Sequence, residues 1–264
     1  MSIIQTIILG IVEGITEFLP VSSTGHMIIA QKLLAIESTD FVKAFTDNIQ
    51  FGAILSVVVL YWKRFFQTLD FYWKLIIAVI PALVLGFLFS EKIDALLENV
   101  AVVAVMLVLG GVLMLFVDKW FDRPNEDQTM DWKRALKIGF YQCIAMVPGV
   151  SRSMATIVGG MTTKLTRKNA AEFSFFLAVP TMAAASGYKL LKLFMDPAGK
   201  ALLSENLVTL LIGNLVAFVV AMAAIKFFIG FLTKYGFKAF GYYRIVVGVT
   251  ILVLLFLGVD LDIL

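Results

Sequence analysis

With a single cysteine, Cys143, the chain cannot form an internal disulfide or a cysteine cage for a metal. Charge is scarce too: 16% of the 264 residues are Asp, Glu, Lys or Arg, and the formal net charge is only +3. The basic residues form no stripe of the kind that tracks a phosphate backbone, so no nucleic-acid partner is expected. The first basic residue is Lys32, so the opening apolar run from Ile3 to Val12 lacks the positive flank of a secretory signal. That run leads into Glu13 and Glu17 and is read as part of the mature protein.

What is abundant is hydrocarbon. Hydrophobic residues make up 60% of the chain and the mean hydropathy is +0.93, against roughly 45–50% apolar residues in soluble domains. A water-soluble fold of this length has no interior able to hide so much apolar surface. A bilayer does. About 20 residues cross a ~30 Å hydrocarbon core, and six stretches qualify, near 41–62, 74–91, 99–117, 170–190, 206–232 and 241–259. The expected fold is an all-α polytopic membrane protein forming a single membrane domain over residues 1–264.

Two further apolar segments are interrupted halfway. Residues 3–34 break at Pro20–Val21–Ser22–Ser23–Thr24–Gly25, and residues 135–163 break at Pro148–Gly149–Val150–Ser151–Arg152–Ser153. Each half is too short to span. Irregular backbone at membrane depth survives only when it is buried in protein or lines a wet cavity. Both segments are therefore expected to be re-entrant helical hairpins.

The two breaks look like copies. Shifted by 129, Gly10 falls on Gly139, Ser22 on Ser151 and Thr24 on Ser153. The chain divides into a first repeat of about 1–118 and a second of about 134–264, each a broken hairpin plus three spans. Three is odd, so the second repeat is expected upside down, with a binding site near the midplane where the interruptions meet. Fifteen basic residues, Arg244 among them, fall on one side of this scheme and six on the other. That bias puts the first side in the cytoplasm and opens the first hairpin outward.

Glu13 and Glu17 lie four apart, on one face of an apolar helix. Ionisable groups in a membrane mark functional sites. The pair can hold a divalent cation, Mg²⁺ or Ca²⁺, or serve as acid and base. Ser22, Ser23, Thr24 and the only histidine, His26, follow within two turns. His26 suits proton transfer or covalent phosphoryl capture. His26, Ser23 and a metal-activated water are all candidates for the nucleophile, with His26 slightly favoured because its ring is the better unassisted nucleophile near neutral pH. In the second break, Arg152 stands between Ser151 and Ser153. Its guanidinium suits phosphate oxygens, and the helix start behind it adds N–H donors. An ion pair from Arg152 to Glu13 or Glu17 is compatible with that role if it opens when phosphate arrives. Gln50, Glu172 and Ser174 are candidates for a supporting layer of polar groups.

The run Glu13-Gly-Ile-Thr-Glu17-Phe-Leu-Pro-Val-Ser-Ser-Thr-Gly-His26 resembles the first signature of the undecaprenyl-diphosphate phosphatase family, the bacitracin-resistance proteins. Pro148-Gly-Val-Ser-Arg-Ser153 resembles its second, and Ala170 to Pro180 and Tyr243–Arg244 are similar to further family features. Met154 departs from the pattern, standing where glycine is expected. The resemblance implies a hydrolase of the bacterial inner membrane that converts undecaprenyl diphosphate to the monophosphate, recycling the cell-wall lipid carrier at the outer face with help from a divalent cation. It places Glu13, Glu17, Ser23, Thr24, His26, Ser151 and Arg152 in the site, with Gln50 nearby. A lipid transporter or flippase is the rival, since broken helices and inverted repeats serve transport as well. A homodimer through small-residue patches such as Gly110–Gly111 is a further expectation.

Overall fold

The computed structural model describes residues 1–65, 68–97, 99–121, 123–259 and 261. Twelve helices follow in order among them. The first half holds α1 (Ile3–Thr16), α2 (Ser23–Leu33), α3 (Asp40–Leu60), α4 (Trp62–Phe65), α5 (Leu69–Leu97) and α6 (Val100–Trp120). The second holds α7 (Trp132–Ile144), α8 (Arg152–Thr162), α9 (Arg167–Met195), α10 (Pro197–Glu205), α11 (Leu207–Tyr235) and α12 (Lys238–Phe256).

Among the described residues, five helices are long and apolar enough to cross a membrane: α3, α5 over Leu69–Phe89, α6, α11 and α12. The chain is an all-helical, multi-pass membrane protein. The sixth expected span, 170–190, lies in α9, which is 29 residues long but is not among those five. The physical reason is its cargo of polar groups. Met182, Ser186 and Lys189 line the functional cavity described below, and the buried Ser174 carbonyl accepts from Arg152, so α9 gives part of its length to polar neighbours rather than to hydrocarbon.

The interrupted segments fold as paired short helices. α1, α2, α7 and α8 have 14, 11, 13 and 11 residues, and at 1.5 Å per residue none covers a ~30 Å core. Each pair joins through a tip with the same backbone device, a serine at positive φ capping the second helix. Ser22 has φ 69° and ψ 101°, and Ser151 has φ 77° and ψ 117°. Non-glycine residues rarely adopt this conformation and hold it only where the surroundings enforce it. Pro20 and Pro148 lie just upstream, where the first helices have already stopped.

α1 packs on α11 and α7 on α5, while α6 crosses α12 and α3 crosses α9. Gly10 and Gly139 sit at matching contacts. A Cβ on Gly10 would lie 3.0 Å from the Gly213 carbonyl oxygen, and one on Gly139 would lie 2.4 Å from that of Ala78. The α6–α12 crossing is also close: a Cβ on Gly111 would lie 2.8 Å from the Gly241 carbonyl oxygen, and one on Gly110 would strike the Arg244 guanidinium. Small residues permit such approach between membrane helices. The Gly110–Gly111 patch is thus covered by α12 of the same chain. It is not a surface for a second copy, so the expected route to a homodimer is corrected.

Candidate active site

The two tips meet inside the bundle. From the first, Glu17 caps the end of α1, its N–H donating to the Glu13 carbonyl, and its carboxylate faces the second tip. From the second, Arg152 opens α8 and donates from Nη2 to Glu17 Oε1 at 2.9 Å. The other Glu17 oxygen, Oε2, accepts from Ser23 Oγ at 2.8 Å. Hydroxyl, carboxylate and guanidinium thus form one chain across the tips.

α9 supports the guanidinium. Arg152 Nη1 donates to the Ser174 carbonyl at 3.1 Å, and Nη2 reaches Met182 Sδ at 3.5 Å. The Phe18 ring lies 5.5 Å from Arg152 Cζ. Ser174 Oγ shares a 2.6 Å bond with Thr156 Oγ1, which ties α8 to α9 behind the arginine. The Arg152 and Glu17 side chains are 13% and 7% exposed. Breaking a buried pair by removing one partner costs about 3–5 kcal/mol, so Arg152 can leave Glu17 only for another anion.

Glu17, Ser23, Arg152 and Met182 line a cavity of about 410 Å³ together with Glu13, Ser22, Thr24, Asp47, Gln50 and Ser151. Asp47 pairs with Lys189 at 2.9 Å on its wall. Gln50 Oε1 accepts from Ser186 Oγ at 3.0 Å. The remaining lining is largely apolar and includes Met27, Ile28, Ile93, Val100, Ala145 and Met146. Glu13 is 1% exposed and its Oε1 has no hydrogen-bond partner. The like charges of Glu17 and Asp47 act on it against the opposite charge of Arg152.

Not every expected residue faces this cavity. His26 does not line it. Its Nδ1 lies 2.8 Å from the Ser22 carbonyl oxygen and its Nε2 lies 2.7 Å from the Tyr243 hydroxyl, so both ring nitrogens are engaged. A carbonyl only accepts, so in the neutral ring Nδ1 carries the proton and Nε2 accepts from tyrosine. Ser153 is fully buried, its Oγ 3.3 Å from that of Ser151. Glu172 lies outside the cavity wall, where its charge acts on Tyr61 near the far end of α3. Met154 turns away from the cavity: its sulfur would be 3.3 Å from a Cβ on Gly110, so the departure from glycine does not narrow the phosphate side.

Sequence reasoning counted Arg244 with the basic residues of one membrane surface. It is instead fully buried in the α12 span. The available signal was an arginine beside a long apolar run, which by itself points to a buried role.

The fold and the site define a class: an all-helical membrane protein whose cavity carries paired carboxylates, hydroxyls and an arginine on two meeting tips. Within that class the chain is a member of a recognised family: residues 6–250 match the family described as Bacitracin resistance protein BacA. It is 61% identical over 256 residues to an undecaprenyl-diphosphatase of Flavobacterium psychrophilum, covering 97% of each chain. It is 57% identical over 280 residues to one from Porphyromonas gingivalis, covering 99% of each. A more distant undecaprenyl-diphosphatase, from a Sulfurovum species, shares 45% identity across 97% of this chain and all of its own.

Proposed function

We propose that this protein hydrolyses undecaprenyl diphosphate to undecaprenyl monophosphate and phosphate. The observation that carries the reading is the Ser23–Glu17–Arg152 chain across the two tips. It supplies a nucleophile, a base and a phosphate-binding cation on one wall. The apolar lining from Met27 to Met146 offers the prenyl tail a path, and the polar wall receives the diphosphate.

In this mechanism the terminal phosphate takes Arg152 from Glu17, which frees the carboxylate to act as base. Ser23 Oγ attacks the terminal phosphorus and its proton passes to Glu17 Oε2. The bond from that phosphorus to the bridging oxygen breaks, and the lipid monophosphate leaves. Water then cleaves the phosphoserine and restores the hydroxyl. Phosphoryl transfer needs mainly positioning and charge stabilisation, and Arg152 with the α8 helix start supplies both. Ser23 is preferred to His26 because His26 points away from the cavity with both nitrogens bonded.

A divalent cation, Mg²⁺ or Ca²⁺, fits the donors present. Glu13 offers a buried oxygen without a partner, Glu17 a second carboxylate, and Gln50 an amide oxygen on the same wall. Among the described residues no group of three or more His, Cys, Asp or Glu could hold a metal. Substrate oxygens and water would complete the shell, as is usual for Mg²⁺. Once bound, the ion neutralises phosphate charge.

The proposed setting is the bacterial inner membrane. α1–α2 and α7–α8 are re-entrant hairpins, α9 is the sixth span, and the halves form an inverted repeat. The paired serine tips and the swapped contacts α1–α11 and α7–α5 support that symmetry. By the charge bias the cavity opens to the outer face, where phosphate is released. Purified protein in detergent, given undecaprenyl diphosphate and Mg²⁺, is expected to release phosphate. Absence of release would remove the hydrolase reading and leave the lipid-transport one, because no membrane separates two compartments in that assay. Rapid quench is expected to trap phosphate on Ser23; phosphate on His26, or no adduct, would reassign the nucleophile.

A further inference from the structure

Among the described residues, Arg244 of α12 is the largest fully buried side chain, and it touches neither the cavity nor any carboxylate. A guanidinium has five N–H bonds, and here five carbonyl oxygens receive them. Nε donates to Leu107 at 3.3 Å, Nη1 to Pro20 at 3.1 Å and Val150 at 2.9 Å, and Nη2 to Met106 at 3.1 Å and Gly149 at 2.7 Å. Pro20 belongs to the first tip and Gly149 and Val150 to the second, while Met106 and Leu107 lie midway along α6. One side chain thus fastens both tips to each other and to the scaffold.

From this geometry we infer that Arg244 is a positioning residue for the catalytic pair: it sets the register of the two tips so that Arg152 meets Glu17 and Ser23. The inference rests on the phosphatase reading and adds to it a residue remote from the reacting atoms. Three consequences follow from its contacts. A trans peptide places C=O and N–H on opposite edges, so the Val150 carbonyl held by Arg244 turns the Ser151 N–H away from the brace, toward the cavity that Ser151 lines. The positive φ of Ser151 is held from outside, because Val150 just before it is fixed through its carbonyl, and Pro20, two residues before Ser22, is fixed in the same way. A fixed cation behind both tips, balanced only by carbonyl dipoles, also favours an anion in front of them. Its neighbour Tyr243 completes the hold on the first tip by bonding His26, whose other nitrogen is on the Ser22 carbonyl.

Lysine at position 244 keeps the charge but has three donors, too few for five carbonyls. Gly110→Ala tests the same contact without replacing Arg244, since the added Cβ would collide with the guanidinium while alanine itself favours the helix over glycine. Each variant is to be purified, checked for folding by thermal melt, and assayed for phosphate release. Tip spacing is read by spin labels on Ile15→Cys and Ile144→Cys in a Cys143→Ser background; both isoleucines are exposed near the ends of α1 and α7. For Arg244→Lys we expect a broadened tip-to-tip distance, KM close to that of the parent, and kcat lower by about 100-fold, the scale of a 1 Å misplacement. Gly110→Ala is expected to move both readouts the same way. Parental kcat in the folded variants overturns the inference, and so does lost kcat with an unchanged distance distribution. Failure of both variants to fold overturns it as well, by making Arg244 a general stabiliser. If the parent protein itself releases no phosphate, the phosphatase reading fails, while the label distances still report whether Arg244 spaces the tips.

Discussion

The two hairpin tips share a backbone and differ in chemistry. Each stops a short helix, carries a proline, turns through a serine at positive φ and starts a second short helix. The first then presents Glu13, Glu17 and Ser23, and the second presents Arg152. Had both tips kept the same side chains, like charges would face each other in a site with little water to screen them. With opposite signs, a neutral resting pair can form, and a phosphate can exchange into it. In the proposed mechanism the shared turn provides the geometry, and the unlike side chains provide the reaction.

That contrast breaks most severely at the groups that bond change would pass through. Ser23→Ala is expected to lower phosphate release by up to about 10⁶-fold, the scale of removing a nucleophile. His26→Gln, which alters only a support of the tip, should lose far less in the same assay; a larger loss from His26→Gln than from Ser23→Ala would reverse the assignment. Next come the charges themselves. Glu17→Ala should cost about 10²–10⁴-fold in kcat as a lost base, and Arg152→Ala about 10²–10³-fold as a lost electrostatic donor. Each single change strands a buried partner, so thermal melts should show both destabilised. The neutral double variant Glu17→Gln, Arg152→Gln should recover most of that stability and stay inactive. If it regains turnover, unlike charge at the tips is not the operative feature.

Glu13 sharpens the comparison on the acidic side. Glu13→Gln should raise the Mg²⁺ concentration needed for half-maximal release by about 10–100-fold, the scale of weakened metal sites, with little change at saturating metal. Unaltered metal dependence would remove Glu13 from the ion's shell.

The smallest effect is expected outside the tips. Asp127, in the loop before α7, accepts from the Thr129 hydroxyl at 2.6 Å and its N–H at 2.9 Å, and these bonds hold its carboxyl below the ordinary range. A depressed folded value adds stability that is fully present above the unfolded value of about 3.9. It is lost as pH falls through the folded one. Asp127→Asn should therefore leave phosphate release unchanged, and its slight deficit in melting temperature should vanish in acid. A deficit that persists below both values would assign the effect to something other than ionisation.

Periodicity and composition located the long spans to within a few residues and marked both breaks, because hydrocarbon thickness and backbone satisfaction impose length and interruption directly on the sequence. The length of α9 was legible but its polarity was not, since which of its faces lines a cavity depends on neighbours far along the chain. The roles of His26 and Arg244 were not legible for the same reason. Proximity to Ser22–Ser23 suggested a histidine aimed at phosphate, yet Tyr243 lies 217 positions away and draws the ring aside. Gly110–Gly111 read as an open patch only because α12 was not yet in view.

By itself, then, the sequence determined that this protein lives in a bilayer, that two of its segments halt midway, and that acids, hydroxyls and an arginine sit at the halts. Those properties follow from local chemistry acting over a few residues. Only the tertiary structure decided which of these groups touch, which way His26 turns, and that Arg244 binds the tips together. The contacts of Arg152 with Glu17, of Tyr243 with His26 and of Arg244 with both tips join residues 94 to 224 positions apart, and they form only when helix packing brings distant carbonyls and side chains within hydrogen-bonding range.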